Sequence, residues 1–235
     1  MRRAGKIVKD ALELVRESVK PGITTRALDK LAYDYIILQG ARPSFLHYNG
    51  YPASICASVN EVVVHGIPSS RKLEEGDIVS IDIGAEKDGF HGDAARTFAV
   101  GEISAEAKRL IEVTEQCFFK AVEQMTEGNR LSDVARAVQT AAESNGYGVV
   151  RALTGHGIGR SMHEDPQVPN FVTAGLGMRL RAGMTLAVEP MINQGTWDVK
   201  FLSDGWSVVT ADGKLSAHYE NTVAVTAGKP EILTL

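Results

Sequence analysis

The sequence predicts an α/β or α+β fold, an antiparallel sheet core covered by helices, in which one unit occurs twice about an internal pseudo-twofold axis. Three observations carry this. Segments of helical and strand periodicity alternate along the chain. Glycines that end corresponding segments recur at a near-constant offset: Gly22 and Gly128 are 106 apart, Gly40 and Gly146 also 106, Gly76 and Gly183 107. Each copy also carries an acidic residue inside an apolar run, Asp82 in one and Glu189 in the other. Two copies are too few for a solenoid, which needs at least three. Residues 1–235 are therefore expected to form one domain with halves of about 1–101 and 102–235.

The elements follow in order. Ala4, Ile7, Val8, Ala11, Leu12 and Val15 fall at helical spacing, and Pro21-Gly22 closes that helix. A second helix is predicted over Thr25 to Gln39. Ile78-Val79-Ser80-Ile81-Asp82-Ile83 reads as a strand by its alternation and β-branched content, and Lys87-Asp88-Gly89 as a hairpin turn that returns the chain alongside it with Asp93. After Gly101 the pattern begins again. A helix is predicted from about Ser104 to Met125, a break at Gly128, a helix from about Ser132 to Ser144, and a strand over Leu186 to Ile192. Two looser echoes accompany the repeat: His65-Gly66-Ile67 returns as His156-Gly157-Ile158, and His91-Gly92-Asp93 as His218-Tyr219-Glu220.

Composition narrows the function. With 44% hydrophobic and 23% charged residues the chain can bury a core, which excludes disorder, collagen and coiled coil. Lys plus Arg number 25 against 29 Asp plus Glu, so the net charge of −4 offers no basic surplus for a phosphate backbone, and nucleic acid is not expected as the main ligand. Cys56 and Cys117 are too few for a disulfide framework and suit a reducing compartment, with the cytoplasm as the default. Met1-Arg2-Arg3 is followed by charged residues rather than by the apolar stretch of a signal peptide, and no apolar run of about 18 residues would cross a membrane.

The chemistry lies in carboxylates placed among apolar residues. A buried, unpartnered carboxylate is costly and takes up a proton in preference to staying charged, so something positive is expected beside each. One such residue would meet an Arg or face water. Four at related positions, Asp82, Asp93, Glu189 and Glu220, repel one another unless a cation lies between them, and their number suggests two divalent ions. His156 sits in Thr154-Gly155-His156-Gly157-Ile158-Gly159, where glycines let the backbone approach a ligand and leave the imidazole unobstructed. Alone it would read as a hydrogen-bonded turn histidine; beside four carboxylates it reads as a ligand. One nitrogen among oxygens suits Mn(II), Fe(II), Co(II) or Zn(II). Paired metals lie about 3.5–4 Å apart and can lower the pKa of a water towards about 7, which makes hydrolysis the natural chemistry.

Together, His65-Gly66-Ile67-Pro68, Asp82 through Asp93, Gly155-His156-Gly157-Ile158-Gly159, His163-Glu164-Asp165-Pro166-Gln167-Val168, Glu189-Pro190 and Glu220-Asn221-Thr222 resemble the type I methionine aminopeptidases. Each motif is weak alone; in this order and spacing, over nearly the whole chain, they are specific. The resemblance implies the pita-bread fold, in agreement with the repeat. It implies Asp82, Asp93, His156, Glu189 and Glu220 as ligands of two divalent metal ions, Asp93 and Glu220 bridging, and a bridging hydroxide that attacks the carbonyl of the initiator Met. Glu189 would shuttle a proton to the leaving amine. His163 would stabilise the developing oxyanion, and His65 would contact the scissile amide.

The pocket for the Met side chain would comprise Phe45, Tyr48, Tyr51, Cys56, Met162 and Trp206, aromatic faces and sulfur suited to a thioether. Some members carry Cys at the position of Phe45 and many carry an aromatic residue at that of Met162, so the pocket's shape departs from the family pattern. Members also have a short segment before the stretch that looks like Met1 to Gly5, while a zinc-binding extension and the helical insertion of type II enzymes are not seen. The expected partners are N-terminal Met residues of nascent polypeptides. Contact with the ribosome is an open expectation, since the pairs Arg71-Lys72 and Lys108-Arg109 read equally as solvated faces; a monomer is the simplest assembly. Two rival functions share the fold: an X-Pro aminopeptidase or prolidase, which usually carries a separate N-terminal domain, and a non-catalytic module that binds N-termini, which typically lacks ligands.

Overall fold

The computed structural model describes residues 1–235. The first half comprises helices α1 (Arg2–Ser18) and α2 (Thr25–Leu38) and strands β1 (Arg42–Pro43), β2 (Ile55–Val59), β3 (Val62–Val64), β4 (Ile78–Lys87) and β5 (Phe90–Ala99). In the second half, helices α3 (Ala105–Glu123) and α4 (Leu131–Glu143) precede ten strands: β6 (Gly148–Val149), β7 (Gly155–Gly157), β8 (Glu164–Val168), β9 (Thr185–Val188), β10 (Met191–Asn193), β11 (Val199–Phe201), β12 (Val208–Thr210), β13 (Ser216–His218), β14 (Asn221–Ala224) and β15 (Glu231–Ile232). All four helices stand where the periodicity predicts them. No helix is long and apolar enough to cross a membrane.

Local chemistry sets the helix boundaries. Thr24 Oγ1 accepts from the Ala27 N–H at 3.2 Å and Ser104 Oγ from the Ala107 N–H at 3.1 Å, satisfying donors that the first turn leaves free. Helix α4 starts one residue before the predicted Ser132 because the Asp133 carboxylate accepts from the Arg130 N–H at 2.8 Å. The six apolar residues that define α1 in the sequence are all buried, and all but Ala4 pack with α2 against β2, β4 and β5. Helices α3 and α4 cover the second half's strands in the same way through Leu110, Val113, Phe118, Val134 and Val138.

Every strand pairing is antiparallel. In the first half β4 lies between β2 and β5, with β1 beside its far end; in the second half the order is β15-β14-β9-β7-β8, with smaller sheets β13-β10-β6 and β11-β12-β3 alongside. The predicted strand from Ile78 continues to Lys87, and Asp88 and Gly89 then turn the chain with φ of 55° and 76°, the left-handed pair of a two-residue hairpin. The predicted strand over Leu186 to Ile192 is corrected: it stops at Val188 and resumes at Met191 in a different sheet. Pro190 has no N–H to give a ladder, so the run breaks at Glu189-Pro190.

The halves meet along a seam between β5 and residues 218–222. Glu220 N–H donates to Ala95 O at 2.9 Å and Ala95 N–H to Glu220 O at 3.3 Å. Threonine hydroxyls supply the links on either side. Thr222 Oγ1 accepts from Asp93 N–H at 2.9 Å and donates to Asp93 O at 3.0 Å. Thr97 Oγ1 accepts from His218 N–H and donates to His218 O, both at 2.9 Å. A third apolar cluster at this seam holds Phe45, Tyr51, Cys56 and Met162.

Candidate active site

Asp82 and Asp93 reach one centre because of strand register. In the β4–β5 ladder Asp82 pairs with Ala95 and Gly84 with Asp93, so the two aspartates are diagonal neighbours on one face. Across the seam, Glu220 stands just before β14 and Glu189 just after β9, strands that pair Asn221 with Val188. The Asn170 side-chain amide donates to Glu189 O at 2.9 Å and holds the break in place. Arg96 performs a similar task for Glu220: its guanidinium donates to Glu220 O at 2.5 Å and to Asn221 Oδ1 at 2.7 Å, while lying 4.1 Å over the Tyr219 ring.

His156 comes from β7, between β8 and β9. Its Nδ1 is 2.8 Å from Gly157 O, a carbonyl that can only accept, so the proton belongs on Nδ1 and the Nε2 lone pair is free. Nε2 faces Glu189 Oε1 at 3.6 Å and Asp93 Oδ2 at 3.9 Å. Burial holds the His156 imidazole down to about 4 and His218 down to about 3, so both are neutral near pH 7. Burial also pushes the Asp82 carboxyl up to about 7. Asp93, Glu189 and Glu220 are driven well above the carboxylate range, by burial first and then by one another and by Asp82.

A divalent cation fits this donor set. Asp82 Oδ1, Asp93 Oδ1, Glu220 Oε1 and His218 Nε2 are buried with no hydrogen-bond partner, although buried polar groups ordinarily have one. Two overlapping groups, Asp93–His156–Glu220 and Asp82–His218–Glu220, each bring three donor atoms within 4.8 Å of one another. Cys56 lies directly across from Asp82 in the β2–β4 ladder with its thiol pushed well up by burial, and neither group of donors includes it.

The acidic centre lines a cavity of about 450 Å³. Its lining contains every residue that the sequence singles out, namely Phe45, Tyr48, Tyr51, Cys56, His65, Asp82, Asp93, His156, Met162, His163, Glu189, Trp206 and Glu220, and adds Asn49. One wall is apolar. The rings of Tyr51 and Trp206 meet edge to face at 5.0 Å, and Tyr51 O–H lies 3.1 Å from both Ile55 O and Gly66 O. Phe45 and Met162 lean on Gly84, where a Cβ would stand 2.7 Å from the Phe45 ring. Imidazoles line the cavity as well. His163 Nδ1 is hydrogen-bonded to Tyr48 O–H at 2.8 Å and its ring lies 4.1 Å from that of His156, while His65 sits at a φ of 59° and burial holds its imidazole down to about 4. Two residues that sequence reasoning does not single out lie close by: Asn49 in the cavity lining and His218 in the donor group with Asp82 and Glu220. Asn49 gives no signal beyond the turn sequence around it, whereas His218 lies in the echo His218-Tyr219-Glu220.

Fold and donor set define a metal-dependent hydrolase. The chain belongs to metallopeptidase family M24, which it matches over residues 1–227. It is 58% identical over 235 residues to the methionine aminopeptidase of Clostridium perfringens, covering 100% of this chain and 94% of that protein. Methionine aminopeptidase 1 of Bacillus subtilis is 51% identical over 234 residues, again covering 100% and 94%. The crystal structure of methionine aminopeptidase from Rickettsia prowazekii superposes with a TM-score of 0.98 at 44% identity, covering 100% of this chain and 95% of that one. Prolidase from Pyrococcus furiosus, 22% identical with a TM-score of 0.81, shares the fold, and this chain covers 62% of its length.

Proposed function

We infer that this chain is a methionine aminopeptidase, a metal-dependent exopeptidase that hydrolyses the bond after the N-terminal Met of nascent proteins and peptides. The observation that carries the reading is the meeting of unpartnered buried donors with a small apolar pocket of aromatic rings and sulfur. Asp82, Asp93, His156, Glu189 and Glu220 would hold two divalent ions of the Mn, Fe, Co or Zn type. Such ions, when bound, polarise a carbonyl and make water a nucleophile at neutral pH.

The remaining work falls to the protein. Phe45, Tyr51, Cys56, Met162 and Trp206 receive the Met side chain and exclude water from it. If Tyr48 O–H donates to His163 Nδ1, the imidazole proton rests on Nε2, ready to donate to the carbonyl oxygen as charge develops there. Burial and the nearby His91 lower the His163 pKa, so it donates as a neutral imidazole. A Glu189 carboxylate oxygen takes the proton of the attacking water and passes it to the departing amine nitrogen, which His65 guides. Since the donors come from both halves, residues 1–235 act as one catalytic unit and a monomer is sufficient. Nascent chains as substrates place its work in the cytoplasm.

The test is release of Met from Met-Ala-Ser by metal-loaded protein, compared with a Xaa-Pro peptide. Met release that is lost on chelation and restored by Co(II) or Mn(II) is expected; preferred cleavage of the Xaa-Pro peptide would assign the prolidase activity instead.

A further inference from the structure

We propose that His218 is a further protein donor of the metal centre, giving the Asp82 side of the site an imidazole nitrogen of its own, as His156 serves the Asp93 side. The proposal rests on the metal-centre reading above and goes beyond its five ligands.

His218 ends β13 two residues before Glu220, and extended chain turns residues i and i+2 to the same side. Its backbone is held on both polar groups by Thr97 Oγ1, so its position is set by the seam rather than by its ring. The side chain is 2% exposed, yet Nε2 has no hydrogen-bond partner. Nε2 lies 3.7 Å from Glu220 Oε2 and 4.0 Å from Glu189 Oε2, too far for a hydrogen bond. Two donors that each sit about 2.0–2.2 Å from a common ion can, however, be as much as about 4.4 Å apart. His156 Nε2 shows the same spacing, 3.6 and 3.9 Å from its carboxylates. The two imidazoles therefore stand in matching relation to the acidic cluster, and Glu220 belongs to both groups of donors.

The consequence is selectivity. A position bounded only by carboxylates suits Mn(II) or Mg(II), whereas carboxylates with an imidazole suit Fe(II), Co(II) or Zn(II). His218 would move the Asp82 position from the first class to the second.

The experiment uses the metal-free full chain titrated with Co(II) and, separately, with Mn(II). At full Co(II) loading, wild-type protein should show paramagnetically shifted N–H resonances from two imidazoles, and His218→Gln from one. By calorimetry, His218→Gln should weaken one Co(II) equivalent about 10–100-fold and change either Mn(II) equivalent by less than about threefold. A single shifted imidazole in fully loaded wild type overturns the proposal, and this count needs no variant to fold. So does His218→Gln with unaltered Co(II) steps, including the case in which its KM rises because the ring merely positions His65. If wild type binds no Co(II) and shows no shifted imidazole at all, the metal-centre reading itself has failed, which is a distinct result.

Discussion

In the first half, Asp82 and Asp93 stand in the interior of two ten-residue strands joined by a two-residue turn, whereas in the second half Glu189 stands just past the end of a short strand and Glu220 between the end of one short strand and the start of the next. The aspartates are aimed by a continuous ladder whose register the turn sets. The glutamates have no such ladder through them, and they depend on parts that lie elsewhere: Pro190 to end one strand, Asn170 to hold the Glu189 carbonyl, Arg96 and the seam to hold Glu220. One pseudo-twofold thus builds the same kind of donor in two ways. The ladder gives rigidity, whereas at the interruption the Glu189 side chain is 13% exposed and lines the cavity.

The comparison can be broken most sharply at Asp93. Asp93→Ala should abolish uptake of metal and lower kcat/KM by about 1,000-fold or more while circular dichroism stays native, since metal catalysis supplies several kcal/mol of barrier lowering. Cleavage that persists in a metal-free preparation would refute the mechanism. His163, which approaches from the second half without joining the donors, should behave differently. His163→Ala is expected to reduce kcat about 100- to 1,000-fold with metal binding intact, as for loss of an oxyanion donor.

A smaller effect separates the two modes of support. Asn170→Ala leaves the Glu189 carbonyl without its amide and should weaken metal retention about 10–100-fold, with a loss of about 1–3 kcal/mol in stability. If retention is unchanged, the broken strand holds itself and the contrast drawn between the halves is wrong.

The smallest expected effect concerns pH in the metal-free protein. Asp82 is raised from 3.8 to about 7, and Asp93, Glu189 and Glu220 are also raised, so the folded state binds more protons than the unfolded one. Their contribution to stability is fully present below pH of about 4 and is lost as pH rises through about 7. Divalent metal should restore it, so the Tm difference between loaded and metal-free protein should widen between pH 5 and 8, by about a few degrees. A difference that stays constant would show that the carboxylates are not clustered in the metal-free state.

Much of this was legible in the chain. The helices were readable because apolar periodicity and capping residues are local signals, and so were the hairpin at Asp88-Gly89 and the carboxylates, since a charge inside an apolar run stands out against its neighbours. The strand predicted over Leu186 to Ile192 differs from the structure for a related reason. Its composition is that of one strand, and only its distribution between two sheets shows that Pro190 divides it. Asn170 and Asn49 gave no signal, because an asparagine near a turn is ordinary until its amide is seen on the Glu189 carbonyl or its position is seen at the cavity.

By itself the sequence marked Asp82, Asp93, His156, Glu189 and Glu220 as candidates for holding a cation and showed that the carboxylates fall in two related sets, because residue type and periodicity are properties of short stretches. The tertiary structure alone decided that the sets meet. The reciprocal hydrogen bonds between Ala95 and Glu220, and the threonine links beside them, join residues more than a hundred positions apart. Nothing local encodes that pairing, which follows from packing two helix-covered sheets against each other. It is also what leaves His218 buried, unpartnered and facing the same cluster.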